Sequence, residues 1–142
     1  MKVCKAYKFR LKTNSETDGI LRQYVGCSRF LWNKTLSLNL YRLENHLPLI
    51  GYYEAAWFLT LWKQSEEYSF LREAPSQALQ QTLKNLDRAF GNAFDKSQPL
   101  KRIPRYRKKG CHDSFRIPQG FKLEGNRVFL PKIGWLRFYR SR

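Results

Sequence analysis

Apolar and polar residues change their period twice along this chain. Near the start, Tyr7, Phe9 and Leu11 alternate with Lys8, Arg10 and Lys12, the period-two mark of a strand with one buried face, expected over residues 3–11. Thr13 with Glu16 three residues on has the form of a capping box, which predicts a helix from there to about Arg42. Ile20, Tyr24, Cys27, Leu31 and Leu38 mark its apolar stripe, broadened by Leu21, Val25, Trp32 and Leu36. Pro48 and Gly51 punctuate a break. A second helix is expected from Tyr52 to about Gln64 with Ala56, Leu59 and Trp62 inward, then a loop ending at Pro75. The clearest helix covers residues 76–96, where Leu79, Leu83, Leu86, Phe90 and Ala93 recur at spacings of four and three.

After Pro99 the period returns to two. Phe115 and Ile117, then Phe121 and Leu123, alternate with Arg116 and Lys122; "EGNR" reads as a turn, and residues 128–130 and 136–139 as further strands. The order is therefore one strand, three helices, then strands. A lone first strand has no local partner and is expected to pair with the last ones. The fold class is α+β: a small basic β-barrel or sheet built from both ends of the chain, with a three-helix insertion. The expected division is 1–12 and 99–142 for the discontinuous β domain and 13–98 for the inserted helical domain.

Charge sharpens this picture. The chain of 142 residues carries a formal charge of +16, and none of it comes from the middle. Residues 99–142 hold 13 Lys/Arg against two acids, residues 1–12 hold five against none, and the 86 residues between hold nine of each sign. If the terminal strands pair, the two positive blocks merge into one field that attracts a polyanion. The start "MKVCKAYKFRLK" has no apolar h-region, and the longest apolar run is too short to span a bilayer, so a cytosolic protein with no membrane partner is expected. Cys4, Cys27 and Cys111 are scattered without a CxxC pair, and His46 and His112 lack ligand-spaced partners, so free thiols and no metal or other cofactor are expected.

"PRYRKKG" at 104–110 places Arg105, Arg107, Lys108 and Lys109 around Tyr106, a phosphate clamp with a stacking ring, or else a solvated loop. The Gln-rich start of the third helix, with Gln77 and Gln80, suits adenine edges and its free N–H groups suit a phosphate, or else these are the polar residues of a solvent face, as in most such helices. Arg29 and Asn33, four apart on the first helix, share a face and contact either a nucleic-acid backbone or water. Arg88 on the third helix, and Lys8, Arg10, Arg116 and Lys122 on the basic strands, complete the candidate nucleic-acid contacts. Catalytic constellations are thin: the 11 acids are dispersed, and there is no Gly-rich phosphate loop or nucleophile elbow.

Six strings occur in one order: "KAYKFRL", "VGCSRFLWNKTL", "SQALQQTLKNLDRAFGNAF", "PRYRKKG", "SFRIPQGFKL" and "LPKIGWLRFYRSR". Together they resemble the N-terminal part of the TnpB (OrfB) family of transposon-encoded proteins, RNA-guided DNA endonucleases whose first helical part older descriptions label helix-turn-helix. The resemblance covers nearly the whole chain. It implies a wedge-like β-barrel with an inserted recognition lobe that grips a guide-type RNA and reads a short motif in double-stranded DNA, base pairing supplying the remaining specificity. It places Gln80 at a motif-reading position, Tyr52 at a matching aromatic, Ser76 and Gln77 at contact positions, and the 105–109 cluster on the RNA-facing surface. The family's RuvC-like and zinc-ribbon parts lie downstream of "LPKIGW", so the 142 residues alone are expected to bind and not to cut. Two alternatives stand beside this: a non-functional remnant of a decayed element, and the binding subunit of a split enzyme whose partner is a separately encoded catalytic domain.

Overall fold

A computed structural model describes residues 8–98, 102–110 and 113–139. Strand β1 (Arg10–Lys12) leads into helix α1 (Ser15–Glu44), α2 (Tyr52–Gln64), a 3₁₀ turn (Ser69–Glu73) and α3 (Ser76–Ala93). Strands β2 (Lys122–Glu124), β3 (Arg127–Leu130) and β4 (Gly134–Tyr139) follow. The sheet is antiparallel with order β1-β4-β3-β2, so the first strand does pair with the last, Leu11 opposite Phe138. This is the expected α+β arrangement, present as a four-stranded sheet. Residues 3–7 of the expected first strand, with Cys4, and the Cys111–His112 pair lie outside the described residues.

Helix α1 begins one residue later than the sequence pattern suggested. Asn14, not Thr13, is the N-cap: its Oδ1 accepts from Thr17 N at 2.8 Å and its own N–H donates to Thr17 Oγ1 at 2.9 Å. Asn is as good a cap as Thr, and Thr17 supplies the reciprocal acceptor that Glu16 was expected to give. The far end closes with Leu47 N donating to Arg42 O at 2.8 Å and His46 N to Leu43 O at 3.3 Å. That is a Schellman arrangement with His46 at φ 56 where glycine is usual.

The helical core forms where α1 packs on α3, with α2 and the 3₁₀ turn closing one side. Tyr24, Cys27, Leu31, Leu59, Leu71, Leu79 and Leu83 share one cluster; Trp32, Leu36, Leu86 and Phe90 form a second. Each fully buried Leu contributes about 1.5–3 kcal/mol. Asn39, also buried, ties the α1–α2 connection down: Nδ2 donates to Ile50 O at 3.2 Å and Oδ1 accepts from Ile50 N at 2.8 Å. In α2 the innermost residues are Ala55 and Leu59, with Ala56 and Trp62 only partly covered.

One expected strand is absent. Residues 113–121 run as irregular chain, with no ladder around Arg116. Phe115 instead meets Tyr24 edge-on, ring centroids 6.0 Å apart, so its alternation with Arg116 reflects which way side chains face without a hydrogen-bonded partner. Pro118 two residues beyond Arg116 has no N–H to give a ladder. Gly120 follows at φ 81, where an added Cβ would come within 3.3 Å of Pro131, so glycine lets the chain pass the β3–β4 turn without strain. That turn is fastened to the helices by Lys132, whose Nζ donates to Arg72 O at 2.5 Å and Ala74 O at 3.4 Å.

Candidate nucleic-acid interface

Residues 102–110 form an extended strap laid along α1, and side chains of α1 hold its backbone. Trp32 Nε1 donates to Arg105 O at 2.9 Å. One turn of strap further, Asn33 grips Arg107 from both sides, Nδ2 donating to its carbonyl at 3.0 Å and Oδ1 accepting its N–H at 2.8 Å. Ser37 Oγ and the Tyr106 hydroxyl share a hydrogen bond of 2.7 Å. The Arg107 guanidinium lies 3.8 Å over the Trp32 ring, and burial lowers its pKa from the ordinary guanidinium value. At the end of the strap Arg29 pairs with Asp113 at 3.1 Å, while Asp113 Oδ2 accepts from Gly110 N at 3.0 Å.

The strap thereby sorts its cations. Arg107 turns toward the helix, whereas Arg105, Lys108 and Lys109 are exposed. Asn33 and Arg29, expected as contacts to nucleic acid or water, engage the strap and its neighbouring acid. Their chemistry in this fold is to position the basic residues.

A second basic surface comes from the sheet register. Trp135, Arg137 and Tyr139 of β4 are exposed, while Leu136 and Phe138 between them are buried. Arg137 stands opposite Lys12 on one side and Arg127 on the other, and Arg10 stands opposite Tyr139. Lys122 opposes Phe129, which opposes Trp135, so it joins the same face. Cations lie over rings throughout: Lys12 4.7 Å from the Tyr139 centroid, Arg127 4.9 Å from Trp135 and Lys122 5.7 Å from Phe129. Glu124, the one acid on this face among the described residues, accepts from Arg127 at 2.9 Å. Like charges directly opposite each other on a sheet destabilise it. The row Lys12–Arg137–Arg127 therefore gains from an anion laid across it, and the rings beside it offer stacking faces.

The third group of expected residues gathers where α3 begins. Pro75 is the N-cap, so no side chain caps the helix. Ser76 Oγ accepts from Lys63 Nζ at 3.2 Å, and Gln77 Oε1 accepts from Gln119 N at 3.1 Å. Burial, and then the charge of Lys132, lower the Lys63 pKa. Gln80 and Arg88 are exposed. Lys84, one turn after Gln80, holds its ammonium 5.3 Å from the Tyr52 centroid, which puts Tyr52 beside the Gln80 face of α3. Lys8 and Arg116 are exposed on irregular chain flanking β1 and β2.

Sequence reasoning missed Trp32, Ser37, Lys63, Lys132 and the outer sheet residues Lys12, Arg127, Trp135, Arg137 and Tyr139. The last three carried a readable signal, because the exposed positions of β4 are aromatic and basic where a solvated face would be simply polar. The others act through backbone groups or through residues far along the chain, which no spacing rule reports. Among the described residues, no three His, Cys, Asp or Glu side chains come together to hold a metal ion. Nor, among them, is any helix long and apolar enough to cross a membrane.

Comparison with known proteins places this geometry. A helix-turn-helix domain model of the OrfB IS605 type matches residues 1–46, whose described part is β1 and the continuous helix α1. Two relatives are named "Putative RNA-guided DNA endonuclease". One, InsQ of Escherichia coli (strain K12), is 40% identical over 144 residues, covering 100% of this chain and 35% of its own length. The other, from Streptomyces pristinaespiralis, is 34% identical over 107 residues, covering 75% of this chain and 26% of its own. The chain thus spans about a quarter to a third of the length of the curated relatives it matches, in the InsQ case the N-terminal third.

Proposed function

These 142 residues are N-terminal OrfB/TnpB-family sequence, and from that premise we propose that they form the nucleic-acid grip of an RNA-guided system. The grip holds a guide-type RNA and engages double-stranded DNA beside the target. The observation that carries this reading is the in-register row of like charges, Lys12, Arg137 and Arg127, on an exposed face that also carries Tyr139, Trp135 and Phe129, with Arg127 paired to Glu124 at its edge. A solvated surface gains nothing from that arrangement, whereas a phosphate backbone neutralises the row and its bases stack on the rings. The outward residues of the strap, Arg105, Lys108 and Lys109, extend the phosphate track.

Within this reading, Tyr52, Ser76, Gln77 and Gln80 approach the edges of DNA bases from the start of α2 and α3, with Arg88 on the backbone. Residues 1–12 and 99–142 act as one β domain, and 13–98 as the inserted helical domain. Cleavage belongs to sequence beyond the matched third.

The test replaces the row. In a Lys12→Gln/Arg127→Gln/Arg137→Gln variant, the slope of log K against log salt on duplex DNA should shrink by about 2.7, from roughly 0.9 per lost phosphate contact. Thermal stability should change little, the relieved repulsion offsetting the lost cation–ring contacts and the Arg127–Glu124 pair. An unchanged slope with unchanged affinity overturns the assignment of this face.

A further inference from the structure

Beside the strap, between α1 and α2, an open cleft of about 670 Å³ is walled by Phe30, Phe58, Trp62, Tyr68 and Tyr106. Phe58 and Trp62 stack at 5.7 Å, and Phe30 lies 5.4 Å from Tyr68, so the walls form a continuous aromatic surface. Tyr106 belongs to the strap, is 52% exposed, and lines the cleft. None of the expected contacts other than Asn33 and Tyr106 lies here, and the cleft is distinct from the sheet face and from the start of α3.

The position of Lys34 decides what this cleft can hold. Its ammonium sits 4.3 Å from the Tyr68 centroid and 5.0 Å from that of Trp62, and donates to the Tyr68 hydroxyl at 3.3 Å. An aromatic box with an internal cation already in place repels a second one, so methylated lysine or another ammonium ligand is excluded. It favours a flat, acceptor-bearing group with negative charge close by. We propose that this cleft receives an unpaired base of a single-stranded RNA. The ring stacks on Trp62 and Tyr106, an acceptor on its edge takes a hydrogen bond from Lys34, and the adjoining phosphates lie on Arg105 and Lys108. A single strand is the fitting occupant because duplex DNA keeps its bases stacked within the helix, while RNA loops and ends splay theirs out. The proposal rests on the reading that the strap carries phosphates, and adds to it a site that selects single strands.

The experiment uses the full chain with a short oligouridylate, the matching oligodeoxyuridylate, and a duplex RNA of equal length. Trp62→Leu should weaken oligouridylate binding by roughly five- to 150-fold, the range for removing one base–aromatic stack, with duplex binding and salt slope unchanged; Tyr106→Leu, which also frees the strap from Ser37, should weaken oligouridylate to a similar extent and duplex binding by much less. Arg105→Gln/Lys108→Gln should weaken all three ligands and reduce the slope. Tyr106 is exposed and outside both core clusters, so its variant tests the site even if Trp62→Leu fails to fold. If both folded variants, or the Tyr106 variant alone, leave oligouridylate affinity unchanged while the charge variant lowers it, the base site falls and the phosphate strap stands. The deoxy strand presents the same base and phosphates and should follow the oligouridylate, whereas an equal loss of duplex RNA binding in Trp62→Leu overturns the assignment to an unpaired base. Wild-type protein that binds none of the three overturns both readings together.

Discussion

Replacing Asn33 by alanine removes a two-point clamp and leaves both the N–H and the C=O of Arg107 without their partner. A typical intramolecular hydrogen bond contributes about 1 kcal/mol net, so the pair is worth about 2 kcal/mol, water recovering part of the loss because the strap is half-exposed. In a domain of this size that corresponds to a melting temperature roughly 4–8 °C lower. The Trp32 bond to Arg105 and the stacked Arg107 guanidinium remain, so loosening should be concentrated in the strap. Hydrogen exchange read on peptides spanning 102–110 should accelerate about 30-fold at the Arg107 amide, the equivalent of about 2 kcal/mol, with the α3 amides unchanged. Asn33→Asp keeps the acceptor for Arg107 N–H but turns a carboxylate toward Arg107 C=O, so it should rescue little. Nucleic-acid affinity should fall in both variants, because a loosened strap must be reordered on binding. The buried counterpart, Asn39→Ala, should cost more, since Ile50 loses the same two bonds with less water at hand. Strap exchange and melting temperature both matching wild type in Asn33→Ala would refute the clamp.

Other outcomes follow from the same geometry. Leu79→Ala, at a position with no exposed surface, should destabilise the fold by about 2–5 kcal/mol in chemical denaturation. His46→Gly should be neutral or stabilising by up to about 1 kcal/mol, and His46→Val clearly destabilising, because position 46 sits in the left-handed region. Burial, and then the charge of Glu73, push the Cys27 thiol pKa up. The unfolded thiol therefore ionises first, and stability should decline as pH rises past the ordinary thiol range; native protein should also alkylate slowly at mildly alkaline pH, whereas fast native alkylation would contradict the burial. Arg29→Met should change stability by less than about 1 kcal/mol, as its bond to Asp113 is a surface pair.

Much of the architecture was legible because period and chemistry agree. Helix α2 spans 52–64 as its apolar spacing indicates, and α3 starts at Ser76, right after Pro75, though it stops at Ala93, short of the expected 96. Pairing of β1 with β4 followed from a strand that had no other partner. What the pattern hid was polar or nonlocal. Ser28, Thr35 and Asn39 are buried on α1 among Leu31 and Leu36, and a hydrophobicity pattern assigns such residues to solvent. Phe115 and Ile117 imitate a strand because packing against α1 imposes the same alternation as a ladder. The strap is held by Trp32, Asn33 and Ser37 acting on chain some 70 residues away, the first two through backbone atoms that have no sequence identity and Ser37 through the Tyr106 hydroxyl. The basic residues of the strap could be named from sequence, whereas Lys12, Arg127 and Arg137 of the sheet row were not, and which cations face outward depends on those contacts.

The most direct test of the nucleic-acid grip is a salt-titrated binding measurement on the purified 142-residue chain. RNA transcribed from its own locus is compared with a length-matched random RNA. The grip as described predicts tight binding that weakens linearly in log salt and retains a preference for the locus RNA as salt rises. Binding that is equal for the two RNAs and disappears with salt would contradict it, leaving only the charge of the chain at work.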